Sequence, residues 1–327
     1  MENKNFISKK GISLGMLSGL TWGLDTVMVG IVLAMSPFVS SAEAIFLAPF
    51  VSTFLHDAFS SIWMMVYMGI KGQLGATFKA LKTRSGRSIV LGALMGGPVG
   101  MTGYLLAVKY IGPAYTASIS AMYPAVGAFL AFIFLKEKLN LRAWSGLALS
   151  IAGSFILGYA PGGNEVTNLG LGFLFAMLSV LGWSSECVIG AYGMKDEEVS
   201  PEQALQIRQL VSAVFYGVII IPVVGGYALS SQVVLTTAAP LLALTALFGT
   251  ASYVFYYTAI HQIGATRAMA LNITYAAWAI IFQILLLGTP ASLKLILCSV
   301  AIMLGSIMVS GNPIAMLNMK KDYEASA

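Results

Sequence analysis

The stretch Met16–Asp25 reads MLSGLTWGLD, and 161 residues later Met177–Glu186 reads MLSVLGWSSE, so that Trp22 falls on Trp183 and Asp25 on Glu186. Each copy lies in an apolar run long enough to cross a bilayer, which takes roughly 20 residues for a hydrocarbon core of ~30 Å. Working outward, ten such runs are expected, near 12–35, 43–70, 88–109, 114–135, 141–159, 170–192, 203–224, 238–260, 265–288 and 292–310. Of the 327 residues, 58% are hydrophobic and 9% charged, with a mean hydropathy of +0.84. A soluble domain carries about 25% charged residues. So few charges cannot cover a water-facing surface, and the expected fold class is an all-α membrane protein. Many of the 34 glycines fall inside these runs, where small residues let helix backbones approach one another in lipid.

A second register extends the repeat. Shifted by 152, AVKYIG (Ala107–Gly112) falls on AIHQIG (Ala259–Gly264), Tyr123 on Tyr275, and Gly153-Ser154 on Gly305-Ser306. The two registers together predict a duplicated five-helix unit, with repeats over 12–160 and 166–311 and short tails at 1–11 and 312–327. Five is odd, so the second copy enters the membrane from the opposite side. Inverted repeats of this kind place a site near the bilayer midplane and let the halves rock around it. That argues for a carrier rather than a channel.

Basic residues set the orientation. With the N-terminus inside, the inner segments hold Lys4, Lys9, Lys10, Lys71, Lys79, Lys82, Arg84, Arg87, Lys136, Lys138, Arg142, Lys195, Lys320 and Lys321, fourteen against Lys109 and Lys294 outside. Both tails are therefore expected in the cytoplasm of a plasma-membrane protein. A net charge of +5 over 18 basic residues is no footprint for nucleic acid. Cys187 and Cys298 stand far apart in apolar runs, which argues against a disulfide framework or a metal cluster. The N-terminus flows into its apolar run without a small-residue cleavage site, so no removable signal peptide is expected. No phosphate-binding loop or hydrolase motif is present, so the expected drive is a gradient or the membrane potential, without a cofactor.

The segment AVKYIGPAYTASISAMYPAVGAFLAFIFLKEKL (Ala107–Leu139) resembles the most recognisable stretch of the drug/metabolite transporter (EamA-like) superfamily. The resemblance rests on the small-residue turn, Pro124 within the helix and Glu137 closing it. The second half repeats the pattern from Ala259, with Thr289 in place of the terminal Glu. More narrowly, GWSSECVIGAYGMKDEEVSPEQALQIRQ (Gly182–Gln209) and LNITYAAWAIIF (Leu271–Phe282) resemble the LicB-type bacterial choline importers. The resemblance implies ten helices and import of choline or a related quaternary amine. Exporters and exchangers of amino acids or other metabolites, some coupled to protons, belong to the same superfamily.

The candidate site residues fit such a cation. Trp22 and Asp25, and Trp183 and Glu186, are i and i+3 and share a helix face. Asn272, Tyr275 and Trp278 make a third stripe, and Tyr104 and Tyr256 match under the 152 shift. Rings attract a methylated ammonium through their faces by about 2 kcal/mol when desolvated. Trp22 and Trp183 lie too deep for the interfacial belt, where Trp63 and Trp144 are expected. For Tyr104, Tyr123, Tyr256, Tyr275 and Trp278, core packing fits as well as ligand contact. A carboxylate at mid-membrane costs ~3 kcal/mol and by default marks function, so Glu186 and Asp25 are candidate substrate or proton handlers. Arg208 is the structural rival partner for Glu186. His56 and Asp57 form a further polar pair, read as a proton relay or as mutually satisfied packing. An enzyme of lipid head-group metabolism would need a catalytic cluster that two histidines do not supply.

Overall fold

The computed structural model describes residues 8–120, 122–158, 168–196, 198–288 and 293–310. The tails beyond residues 8 and 310, the junction around Gly162 and Thr289 lie outside the described residues. Every regular element among those described is helical. Seven helices are long and apolar enough to cross a membrane: Lys9–Leu33, Ala42–Ile70, Arg84–Ile111, Leu169–Gly193, Pro201–Val224, Ala238–Ile263 and Ala265–Leu287. The other three expected runs are shorter apolar helices, Tyr123–Leu135, Leu141–Ile156 and Ile296–Val309.

Side chains written just before several of the apolar runs start their helices. Ser8, Ser41, Thr83, Asn168 and Ser200 each accept a first-turn N–H, and Ser200 completes a reciprocal capping box with Gln203. A cap of this kind contributes about 1 kcal/mol. The helix bounds repeat in the registers read from the sequence. Lys9–Leu33 and Leu169–Gly193 both have 25 residues. Leu141–Gly158 and Leu293–Ser310 coincide under the 152 shift, and helices begin at Tyr123 and at Tyr275.

One boundary differs from expectation. The residues between the third and fourth runs were expected to form a turn, yet the backbone stays helical from Thr102 to Ser120, and the next helix starts at Tyr123. In the second half the corresponding turn is real, because Gly264 adopts φ +87, a conformation open chiefly to glycine. Short helices at Leu74–Ala80 and Tyr227–Val234 occupy stretches read as loops.

Contacts at several helix ends bring segments next to basic residues together. Ser8 bonds Gln262 (3.0 Å), Glu137 bonds the start of the Ala265–Leu287 helix, and Lys71 pairs with Glu202 (3.6 Å). One apolar cluster spans this half of the molecule, joining Ile89, Met194, Ile207, Ile263, Ala265 and Ala131. Lys109 lies at the other end, its Nζ 4.8 Å from the centre of the Phe46 ring.

Three helices contain π turns, at Met95–Met101, Ala131–Leu135 and Tyr216–Ile220. Such turns concentrate at functional positions. The first, MGGPVGM, packs against the middle of the Leu169–Gly193 helix. A Cβ on Gly96 would lie 1.6 Å from the Glu186 carboxylate, and one on Gly100 2.8 Å from the Trp183 ring. Small residues there make room for the two side chains that open the site.

Candidate functional site

Five ionisable side chains from four helices form one buried chain. Arg208 donates from Nε to Glu186 Oε1 (2.9 Å), from Nη1 to Asp57 Oδ1 (3.2 Å) and Gln209 Oε1 (2.7 Å), and from Nη2 to the Tyr253 hydroxyl (3.0 Å). Its guanidinium carbon also sits 4.6 Å from the centre of the Tyr253 ring. The second Asp57 oxygen accepts from Ser212 (2.5 Å), and Glu186 Oε1 accepts a further bond from Tyr257 (3.1 Å). His56 Nε2 bonds Asp25 Oδ1 at 2.9 Å. Which of the two atoms carries the hydrogen depends on the tautomer of the ring. Asp25, His56, Asp57, Glu186 and Arg208 are all buried.

The network is itself duplicated. Asp25 matches Glu186 in the 161 register, and His56 matches Arg208 in the 152 register. Each half thus carries an acid on its first helix and a base on its second, 2.9 Å apart in both. Gly249 and Gly97, also 152 apart, stand at the His56–Asp25 pair and at the Ser212 donor to Asp57. A Cβ on Gly249 would fall 2.7 Å from His56, and one on Gly97 2.3 Å from the Ser212 hydroxyl. The copies differ in kind: one base is a planar guanidinium with five donors, the other an imidazole with two ring nitrogens.

Aromatic rings surround this chain. Trp183 packs on Tyr104 (centroids 5.4 Å) and meets Tyr123 edge-on (6.1 Å). Trp22 meets Tyr253 edge-on (5.0 Å), and Tyr253, Tyr257 and Tyr256 follow at 6.2 and 6.3 Å. The Tyr256 hydroxyl reaches Cys187 Sγ (3.3 Å), one helical turn from Trp183. Trp22, Tyr104, Trp183, Tyr256, Tyr275 and Trp278 all keep partial exposure.

Two Asn272 bonds tie the ring wall to the first helix, one accepted from Tyr123 (3.2 Å) and one donated to Ser18 (3.3 Å). Trp278 Nε1 is buried and has no hydrogen-bond partner among the described residues. An unpaired buried donor costs about 1–3 kcal/mol.

Comparison with known proteins places this arrangement. The model of the EamA-like transporter family matches the chain twice, over residues 9–159 and 170–311. The chain belongs to the EamA-like transporter family. Protein LicB of Haemophilus influenzae is 37% identical over 201 residues, 61% of this chain and 67% of that protein. A crystal structure of a protein 17% identical superposes with a TM-score of 0.65, covering 91% of this chain and 96% of the other, and shares the fold.

Within this EamA-like chain the structure gathers most of the residues singled out in the sequence, with one rearrangement. His56 and Asp57 stand within ion-pair range, Nδ1 3.8 Å from Oδ1, but take their hydrogen bonds from other partners. Neighbours on a helix point about 100° apart, so His56 turns to Asp25 and Asp57 to Arg208. Trp63, expected at the interface, donates to the Ala243 carbonyl (2.9 Å), while Trp144 is exposed. Sequence reasoning missed Tyr253 and Tyr257, although their spacing around Tyr256 marks one helix face. It also missed Ser212 and Gln209, which carried no signal until Arg208 was placed beside them.

Proposed function

We propose that this membrane transporter imports choline or a closely related quaternary amine, by alternating access between inverted repeats at 12–160 and 166–311, with both tails in the cytoplasm of a bacterial plasma membrane. The observation that carries the substrate class is the charge balance inside the ring wall. Three buried carboxylates, Asp25, Asp57 and Glu186, face one guanidinium and one imidazole. With all of them ionised the group still lacks one positive charge, and it is bordered by partly exposed rings. A methylated ammonium head, which has no N–H to donate, is what ring faces and a diffuse negative field select. The two family matches, 9–159 and 170–311, support the duplication. The helices ending on the basic face support the orientation.

A proton-coupled exchanger of small metabolites is the second reading, favoured by the titratable His56–Asp25 pair. Uptake of labelled choline into proteoliposomes separates them. Moving one charge inward gains ~2.3 kcal/mol per 100 mV, so a valinomycin-imposed negative interior accelerates a choline uniporter without a pH gradient. Uptake that ignores potential and follows only an imposed pH gradient favours the exchanger, and absence of choline uptake removes the substrate assignment.

A further inference from the structure

We propose that Glu137 is a latch that holds the transporter closed on its basic face, and that its release opens the route from the ring-lined site to that side. The proposal rests on the transport reading above, while its test does not depend on the substrate.

The geometry is bidentate. Glu137 Oε1 accepts the N–H of Ala265 (2.8 Å) and Oε2 that of Thr266 (3.1 Å). These are first-turn donors of the Ala265–Asn272 helix, which have no partner within the helix and carry the positive end of its dipole. Gly264 makes the approach possible, since a Cβ there would come 2.7 Å from Glu137 Oε1. On the other side, Lys136 takes φ 58 and ends the Ala131–Leu135 π turn, and the Glu137 N–H returns to Ala131 O (3.2 Å). The chain is thereby turned so that the carboxylate faces the second half.

The latch closes over a seal. Glu137 belongs to the first repeat and its partners to the second. Beside them one continuous apolar cluster joins Met16, Leu130, Ile260, Ile263, Met269 and Leu271. Among the described residues, further buried apolar clusters stand apart from it, on the basic face around Met68 and Leu205 and around Ala143 and Leu147, and at the opposite end around Phe38 and Leu242 and around Ile111 and Ala176. The latch itself is one-sided. The sequence reinforces the asymmetry: Glu137 corresponds under the 152 shift to Thr289, which has no carboxylate.

Thiol accessibility tests this. In the full chain with Cys187→Ser and Cys298→Ser, Met16→Cys reports the sealed end and Val32→Cys the opposite end. An impermeant methanethiosulfonate reagent is applied from the basic face of proteoliposomes without substrate. Glu137→Ala should speed labelling at position 16 at least tenfold. Glu137→Gln, which keeps one acceptor oxygen, should fall between Glu137→Ala and the parent. Applied from the other face, the reagent should label position 32 no faster than in the parent. Unchanged labelling at position 16 in the folded Glu137→Gln and Glu137→Ala proteins overturns the latch. Equal acceleration at both positions also overturns it, because that is general loosening. A latch that responds in a protein that does not take up choline would leave the gate standing and remove only the substrate.

Discussion

Arg208 and Glu186 differ in what each leaves behind when removed. Arg208→Gln strips two buried carboxylates, Asp57 and Glu186, of their shared cation, leaving among the described residues the Ser212 and Tyr257 hydroxyls as donors and His56 3.8 Å from Asp57. Breaking a buried pair from the side that strands charge is expected to destabilise by about 3–5 kcal/mol. Glu186→Gln leaves Arg208 with Asp57 at 3.2 Å, Gln209 at 2.7 Å and the Tyr253 ring. Its loss is nearer one charge-assisted hydrogen bond, about 1.5–3 kcal/mol. The double variant should be more stable than the sum of the single changes predicts, since Glu186 is no longer stranded. Adding Asp57→Asn should recover more, because the last carboxylate bonded to Arg208 goes with its partner. Unfolding in mixed micelles, analysed as a double-mutant cycle, measures these differences. The reasoning is refuted if Arg208→Gln proves no more destabilising than Glu186→Gln, or if the two effects simply add. Glu186→Gln should also abolish or strongly reduce choline uptake while leaving a folded protein. Retained uptake would assign Glu186 to structure alone.

Two further outcomes are expected. Trp183→Ala should weaken choline binding by at least ~1 kcal/mol, Trp183→Phe by less, and Trp144→Ala not at all, as read by calorimetry on purified protein; equal effects at 183 and 144 would mean that packing, not recognition, is being measured. Single cysteines near Gly162 should react with an impermeant reagent on intact cells and those near Gly86 should not; the reverse pattern would invert the orientation.

The sequence carried the parts of this molecule that depend on local spacing. Trp22 with Asp25 and Trp183 with Glu186 were legible because three residues on a helix is nearly one turn, and the duplication was legible because whole phrases recur. Arg208 was legible as a partner for Glu186 because both had to be buried at similar depth. What escaped was pairing across helices. The partition of His56 and Asp57 between two partners follows from the angle between successive side chains together with the position of a distant helix, and only the second of these is invisible in the sequence. Tyr253 and Tyr257 were hidden among many tyrosines until Arg208 selected them. The continuous helix through Gly112-Pro113 was misread because both residues signal turns, and that signal is weaker than the packing of the surrounding bundle.

The π turn at Met95–Met101 bears on how the length of this chain can vary. A π turn accommodates about one residue more than an α turn, and one residue on an α-helix is a rotation of about 100°. Removing a single residue from this segment would relax it to ordinary helix and turn everything after it against everything before. Tyr104 would leave Trp183 while Arg84 stayed in place. The helix therefore behaves as two rods joined by a coupling whose extra residue sets the phase. Among relatives, a gap here should be matched by an insertion within the same turn, whereas a gap in the loop at Gly72 or Gly225 needs no counterpart.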